Sequence, residues 1–565
     1  MIRKLIRKMN PFRLIGRGWL ALANWRRKRY KKLDYILLTL PSSMPALPES
    51  RGWLRERFFG TPPLSLWELH EIFERIAGDP RPQGVILVLR GLALSFADLQ
   101  TLRGMISGLR ERGKRVVCYA QLYDTAQYYV ASAADQIIMQ PGGEMMTMGL
   151  RQDVIFLKDT LAAIGVSLDV VAISPYKGAF DQLARSEFSP EGKEQLDWLL
   201  DSRYDQIVEG IAAGRKMSAE AVRAMIDTAP HLDDEALAAG YLDAVVHEEG
   251  LAAHLNAEHI VPWRDAKRWL IVKQKPGADK HIALLRVAGL MFPGESGKPP
   301  ADIPVPVPFV GEERAGDLTV VQQVRNLMKD ERTAAVVLFI DSGGGAVIAA
   351  EAMTSALAEL AKSRPLVVYM NGVAASGGYE IATPAQWIVA QPGTITGSIG
   401  VITAKPVTGG LREKLYAHSA ELSRGANAGI FSDTAPFDEQ QRAKVRASVE
   451  HFYKQFVRRV ALARKMSEEQ VDAVGGGRVW TGVQALSHGL VDELGDVRAA
   501  IRKARELANL PEHTPVEIVE GKGKLLPPQI AEAATPAAYL SYCLENARAI
   551  ANGMAQALLP LWTNS

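Results

Sequence analysis

Val336-Val337-Leu338-Phe339-Ile340 is an unbroken apolar run, and Asp341-Ser342-Gly343-Gly344-Gly345-Ala346 follows it directly. A short run of this kind ending in a glycine turn reads as a strand buried on both faces. The same pattern stands 251 positions earlier as Val85-Ile86-Leu87-Val88-Leu89. At that shift Val116-Val117 falls on Val367-Val368, Gln140-Pro141-Gly142 on Gln391-Pro392-Gly393 and Gly149 on Gly400, without a gap. Further on, Arg215-Lys216-Met217-Ser218 matches Arg464-Lys465-Met466-Ser467 at a shift of 249. The chain is a tandem duplication, and its period is that of a whole domain.

Around these anchors, apolar runs alternate with amphipathic stretches. Arg115–Tyr119, Gln136–Met139 and Leu168–Ile173 read as further strands of the first repeat, with helices over Ala97–Arg110, Thr125–Ala133 and Val154–Ala163. Ile282–Val287, Leu366–Met370 and Trp387–Ala390 resume the series. Helical pairs close each repeat, at Lys193–Ala213 with Ser218–Ile226 and at Glu439–Ala463 with Ser467–Val474. This alternation predicts an α/β architecture, strands covered by helices, in both copies. The expected divisions are a head at 1–33, repeats at 34–275 and 276–508, and a linker with a helical tail at 509–565. Phe292–Gly316, rich in Pro and Gly, reads as a mobile loop or lid. Glu517–Pro528 reads as a linker, and Pro536–Trp562 as a helix with an apolar face.

Bulk composition narrows the class. Of 565 residues, 47% are hydrophobic and 23% charged, the balance of a globular protein with a large core. Cys118 and Cys543 are too few and too distant to suggest a disulfide framework. Residues 1–33 hold twelve Lys or Arg and no acid, leaving 54 basic against 63 acidic residues elsewhere. Trp19, Leu20, Leu22 and Trp25 are interleaved with those cations, and the longest uncharged stretch, Gly18–Trp25, is far short of the roughly 20 residues that span a bilayer. A helix lying on an anionic membrane surface is expected, interrupted at Pro11; a disordered basic tail is the plainer alternative.

The two copies have diverged where chemistry would sit. The second carries Val373-Ala374-Ala375-Ser376-Gly377-Gly378-Tyr379, where the first has Thr125 for the serine and Gln127 for a glycine. A serine after a strand and before glycines can stand at a helix start beside free backbone amides that bind an oxyanion. Taken alone, it serves equally as a helix cap or a small-residue packing contact. The turn at 341–346 lacks the Lys-Ser/Thr ending of a nucleotide loop. Serine needs a base to become a nucleophile. No histidine lies within about forty residues on the N-terminal side of Ser376, and His254 and His259 are not spaced as a helical zinc pair. A desolvated lysine can serve instead, but composition and spacing do not choose among 66 basic residues.

The run from Tyr369 to Pro384, Tyr-Met-Asn-Gly-Val-Ala-Ala-Ser-Gly-Gly-Tyr-Glu-Ile-Ala-Thr-Pro, resembles the signal peptide peptidase A family, peptidase family S49. Ile388 to Val401, Ile-Val-Ala-Gln-Pro-Gly-Thr-Ile-Thr-Gly-Ser-Ile-Gly-Val, continues the resemblance. With the duplication, it covers roughly residues 35–505 and matches the long, two-repeat form. It implies a tandem crotonase-like (ClpP-like) α/β fold and a serine endopeptidase with a Ser/Lys dyad. The nucleophile maps to Ser376. The general base, which the long form takes from its first repeat, maps to Lys177 in Ser174-Pro175-Tyr176-Lys177-Gly178-Ala179; the second copy holds Ala428 or Ala426 there. A serine that orients the amine maps to Ser398. The oxyanion donors map to the amide of Gly377 and to Gly344 or Gly345, with Gly343 standing where the family usually has proline.

The resemblance further implies apolar, unfolded peptides such as released signal peptides as substrates, a homo-oligomeric ring, and no metal, nucleotide or other cofactor; no nucleic-acid partner is expected. Long-form members begin with a transmembrane helix, whereas here a basic amphipathic head holds that position. The expected location is therefore peripheral on a bacterial inner membrane, the cytoplasmic face favoured over the periplasmic. Two rivals stand beside this reading. A crotonase-like acyl-thioester enzyme would share the glycine turns without a nucleophilic serine, and an inactive membrane scaffold would need neither Ser376 nor Lys177.

Overall fold

The structure is a computed structural model that describes residues 11–49, 61–273, 278–297, 313–519 and 556–558. By packing it divides into two compact units, one of residues 1–150 and 204–277, the other of 151–203 and 278–565. The sequence repeats and the compact bodies are thus cut differently. Residues 151–203, first-repeat by sequence, belong to the body that contains the second repeat.

In the first unit, Tyr35–Leu40, Gly84–Leu89, Arg115–Asp124 and Gln136–Met146 form a parallel run of strands. The Gly84–Leu89 strand is buried at every position, which is why its sequence shows no polar alternation. Helices Leu66–Ala77 and Phe96–Glu111 begin at side-chain caps, Ser65 accepting from Glu68 and Ser95 from Asp98. Their apolar faces, Leu69, Phe73 and Ile76 on one and Leu102, Ile106 and Leu109 on the other, join Val85, Leu87 and Cys118 in one core. Cys118 is a buried free thiol, and burial pushes it up to about 12, so it packs as a small apolar group.

The second unit carries two sheets. One runs in the order Val479–Thr481, Ile395–Gly397, Leu366–Ala375, Thr333–Ser342, His281–Ala288, Val516–Ile518, with Trp387–Ala390 also beside Leu366–Ala375. The other runs Arg314–Gly316, Leu290–Phe292, Gly344–Ala346, Gln556–Leu558, Ile402–Val407, Ser167–Ala172. Helices Val347–Ala361 and Glu439–Arg464 bury Met353, Leu357, Phe456 and Val460 against the strand residues Leu338, Ile340, Val368 and Met370.

Several expectations change on contact with the fold. The strand expected at Leu168–Ile173, placed with the first repeat's series, spans Ser167–Ala172 and pairs antiparallel with Ile402–Val407 of the second unit. The helix expected over Val154–Ala163 forms only at Lys158–Ala163. The ends of the Phe292–Gly316 loop are strands, with Leu290–Phe292 parallel to Arg314–Gly316; its middle, 298–312, lies outside the described residues. The start of the expected linker is a strand too, Val516–Ile518 beside His281–Ala288. Gln556–Leu558 of the tail expected to be helical is also a strand, and the rest of 520–565 lies outside the described residues. At the other terminus a helix starts at Pro11 and runs to Lys28, while residues 1–10 lie outside the described residues.

Candidate active site

The strand Leu366–Ala375 ends one residue before Ser376, and a short helix, Gly377–Glu380, begins one residue after it. Between them Ser376 adopts φ 57°, ψ −118°, a backbone conformation that side-chain-bearing residues rarely hold. Its N–H donates to the Gly397 carbonyl at 2.8 Å, and the second unit's core closes around it, so this sharp strand-to-helix turn is pinned from outside. Gly378 is required by contact: a Cβ there would stand 2.4 Å from the Ser342 carbonyl oxygen. As the first helical residue, Gly377 has an amide without an intrahelical acceptor.

The facing glycine turn is held by its own neighbours. Ser342 Oγ donates to the Gly289 carbonyl at 2.6 Å and accepts the Gly344 N–H at 3.2 Å. Asp341 accepts the Val373 N–H at 3.1 Å and the Asn371 amide at 3.2 Å, tying together the ends of two adjacent strands where their register shifts. Burial raises the Asp341 carboxyl above its ordinary range. Gly344 lies against Gly377: a Cβ on Gly377 would stand 3.3 Å from the Gly344 Cα. Gly345 is opposite Met291 in the parallel ladder.

Lys177 arrives from the segment after Ser167–Ala172. Its N–H donates to the Ser174 carbonyl at 3.2 Å, closing a turn whose Ser174 hydroxyl in turn donates to the Gly476 carbonyl. Downstream, Gln195 accepts the Val479 N–H at 2.7 Å, the Trp198 indole donates to the Val479 carbonyl at 2.9 Å, and Trp198 stacks on Trp480 with centroids 4.9 Å apart. Each such contact is worth about 1 kcal/mol, enough in sum to hold a short turn in one place.

Lys177, only 1% exposed, extends its Nζ to 2.7 Å from Ser376 Oγ, 2.8 Å from Ser398 Oγ and 2.9 Å from the Ser398 carbonyl oxygen. Ser398 shares the left-handed backbone of Ser376, with φ 52°, and its N–H donates to the Arg478 carbonyl at 2.6 Å. The structure thus brings Ser376, Lys177 and Ser398 together, with Gly377 and Gly344 alongside.

Charge decides what the amine can do. Leaving an ammonium ion in a dry site costs several kcal/mol, and all three neighbours of Nζ are neutral oxygens. Burial accordingly holds the Lys177 amine well below the ordinary lysine range. A neutral amine has two N–H groups and one lone pair. That set matches the site, donating to both Ser398 oxygens and accepting the Ser376 hydroxyl proton.

Two features of the site were not singled out in the sequence. One is the glycine run at 475–477: a Cβ on Gly477, at φ +92°, would stand 2.6 Å from the Lys177 Cβ. Three consecutive glycines are visible in the sequence and were a sufficient signal. The other is the tying role of Asp341, which lies in the quoted turn but acts through a β-bulge that no local pattern announces. A cleft of about 830 Å³ opens beside Lys177; Leu168, Val170, Ala172, Ile173 and Pro175 line it together with the charged Lys158, Asp181, Arg185, Glu187 and Arg446.

A buried serine and lysine in contact, beside a glycine turn packed against Gly377, make the kind of site a serine hydrolase uses. The sequence matches peptidase family S49 twice, over residues 108–261 and 358–511. It is 30% identical over 468 residues to the chloroplastic serine protease SPPA of Arabidopsis thaliana, covering 81% of this chain and 68% of the relative. It is 30% identical over 524 residues to Protease 4 of Salmonella typhi, covering 88% and 82%, and 29% identical over 480 residues to Protease 4 of Haemophilus influenzae, covering 80% and 75%. The chain belongs to peptidase family S49, whose model matches it once in each repeat, and it is a serine protease of the α/β architecture expected from its sequence.

Proposed function

We propose that the protein is a membrane-associated serine endopeptidase working through a Ser376/Lys177 dyad, which degrades released signal peptides and other apolar, unfolded segments. The observation that carries this reading is the 2.7 Å separation of Lys177 Nζ and Ser376 Oγ in a buried site. Ser376 Oγ attacks the peptide carbonyl carbon as its proton passes to the neutral Lys177 amine. Ser398 orients that amine through its hydroxyl and carbonyl. The developing oxyanion is received by the Gly377 amide, with the Gly345 amide of the facing turn as second donor, since the Gly344 N–H already donates to Ser342 Oγ. The resulting lysine ammonium protonates the departing amine, and water then releases the acyl group from Ser376 by the same route in reverse.

The apolar substrate class is carried by the family resemblance; the cleft beside Lys177 offers Leu168, Val170, Ala172, Ile173 and Pro175 to apolar side chains, and Lys158, Asp181, Arg185, Glu187 and Arg446 share its lining. Membrane association is supported by the Pro11–Lys28 helix. It exposes Trp19 and Trp25, at 69% and 50%, and ends in Arg26, Arg27 and Lys28. Among the described residues no helix is long and apolar enough to cross a membrane. A fluorophosphonate probe tests the chemistry directly: it should modify Ser376 in the wild-type chain, and modification of any other residue in its place would refute the assignment.

A further inference from the structure

The C-terminal end of the Pro11–Lys28 helix is fastened to a second basic segment of the first unit, Trp263-Arg264-Asp265-Ala266-Lys267-Arg268-Trp269-Leu270-Ile271-Val272-Lys273. The Asn24 side chain brackets Val272, its Nδ2 donating to the Val272 carbonyl at 2.9 Å and its Oδ1 accepting the Val272 N–H at 3.1 Å. Arg27 Nε donates to the Arg268 carbonyl at 3.3 Å, and Tyr30 stacks on Trp269 with ring centroids 4.5 Å apart. Arg81, paired with the buried Asp79, ties the two segments together. It donates to the Arg27 carbonyl at 2.5 Å, the Tyr30 carbonyl at 2.6 Å and the Trp269 carbonyl at 2.7 Å. Arg75 donates to the carbonyls of Lys267 and, at 3.2 Å, Leu270.

These bonds occupy main-chain oxygens and leave the cations of the segment in solvent. Arg264, Lys267, Arg268 and Lys273 are exposed, and the last three make no ion pair among the described residues. Asp265, the segment's acid, lies 3.9 Å from Arg264. The adjoining helix adds exposed Arg26, Lys28 and Arg29, with the Arg29 guanidinium 3.6 Å over the Trp25 ring, and exposes Trp19, Leu22 and Trp25. Unneutralised cations beside exposed indoles are what an anionic bilayer surface attracts. Charge alone would also draw a nucleic acid, but burial of Trp19, Leu22 and Trp25 at the acyl boundary adds an attraction that only lipid supplies.

We infer that Trp263–Lys273 is a second membrane-binding element, whose Lys267, Arg268 and Lys273 hold anionic lipid headgroups beside the helix. The inference rests on the membrane-associated reading above. Helix and segment form one docking surface, so the bilayer orients the first unit instead of tethering it by a loose arm.

The test measures binding of the full-length protein to vesicles of phosphatidylglycerol and phosphatidylcholine in about equal parts, to pure phosphatidylcholine vesicles, and to a short RNA duplex at the same salt. Wild type should bind the mixed vesicles in preference to both others. Each cation at an anionic surface is worth about fivefold in affinity, so Lys267→Gln with Arg268→Gln should weaken binding about 25-fold. That variant should cleave a soluble apolar peptide at the wild-type rate, which also reports that it is folded. Arg90→Gln with Lys216→Gln removes two exposed cations that contact neither segment, and should weaken binding less than about threefold. No loss in the first variant, or equal losses in the two, overturns the inference and leaves the helix as the membrane contact. Tighter binding to RNA than to mixed vesicles overturns it in favour of a nucleic-acid surface. A wild-type chain that does not bind the mixed vesicles overturns it together with the membrane-associated reading.

Discussion

Gly477 packs against Lys177 so closely that a Cβ on the glycine would stand 2.6 Å from the lysine Cβ and 2.8 Å from its backbone nitrogen. The glycine thus forms one wall of the slot that delivers the amine. Gly477→Ala would add a left-handed strain of about 1–3 kcal/mol and push the lysine backbone aside. A displacement of about 1 Å at a reacting group costs about 100-fold in rate. Peptide cleavage should fall by about that factor in Gly477→Ala. Gly113→Ala, with a similar φ of +77° but open space around it, should lose only stability. Equal activity of the two variants would contradict the wall.

Ser398 makes two of the three contacts of the Lys177 amine. Removing its hydroxyl in Ser398→Ala deletes one hydrogen bond, worth about 1–3 kcal/mol at a buried group, so kcat should fall about 10–100-fold with little change in KM. The wild-type kcat/KM should rise with pH through a single ionisation well below 10.5, and its midpoint should move in Ser398→Ala. A midpoint in the ordinary lysine range, the same in both proteins, would show that the titrating group is not Lys177.

The same lowered affinity for protons has a stability consequence with a definite sign. Unfolded, Lys177 binds a proton up to about pH 10.5; folded, it gives the proton up at lower pH. Unfolding therefore takes up a proton within that window, and wild-type stability rises with pH there by up to about 1.4 kcal/mol per unit. Lys177→Met should be more stable than wild type at pH 7, and the gap in urea midpoint should close as pH approaches 10. A gap that does not change with pH would contradict the buried neutral amine.

On the membrane side, the Trp19→Ser, Leu22→Ser, Trp25→Ser triple variant removes exposed apolar groups while keeping every cation. Sedimentation with anionic vesicles should weaken about tenfold or more, since each ~1.4 kcal/mol of lost burial is a factor of ten. Unchanged sedimentation would assign the contact to charge alone.

Much of this was legible before any coordinates. The duplication and the alternation of strands and helices follow from buried runs such as Val85–Leu89 and Val336–Ile340, whose burial on both faces is written in their composition. The turns at Ser376 and at Gly344–Gly345 were legible as glycine turns, and the family resemblance, not the glycines themselves, gave them a chemical role. Sheet partnership was not. Ser167–Ala172 reads like any strand of the first repeat, and only its pairing with Ile402–Val407 carries Lys177 to Ser376. Ser398 was found by resemblance, since nothing local distinguishes a serine held at φ 52°. In the tail, an apolar helical periodicity at Gln556–Leu558 gives way to the unsatisfied backbone edges of two neighbouring strands.

The central claim is that a buried, uncharged Lys177 and Ser376 act as one unit. It is tested most directly by the rate at which purified, folded Ser376→Ala and Lys177→Ala chains cleave an unstructured apolar peptide. Both rates should drop to background, with the double variant no worse than either single one. Substantial turnover by either single variant would contradict the account.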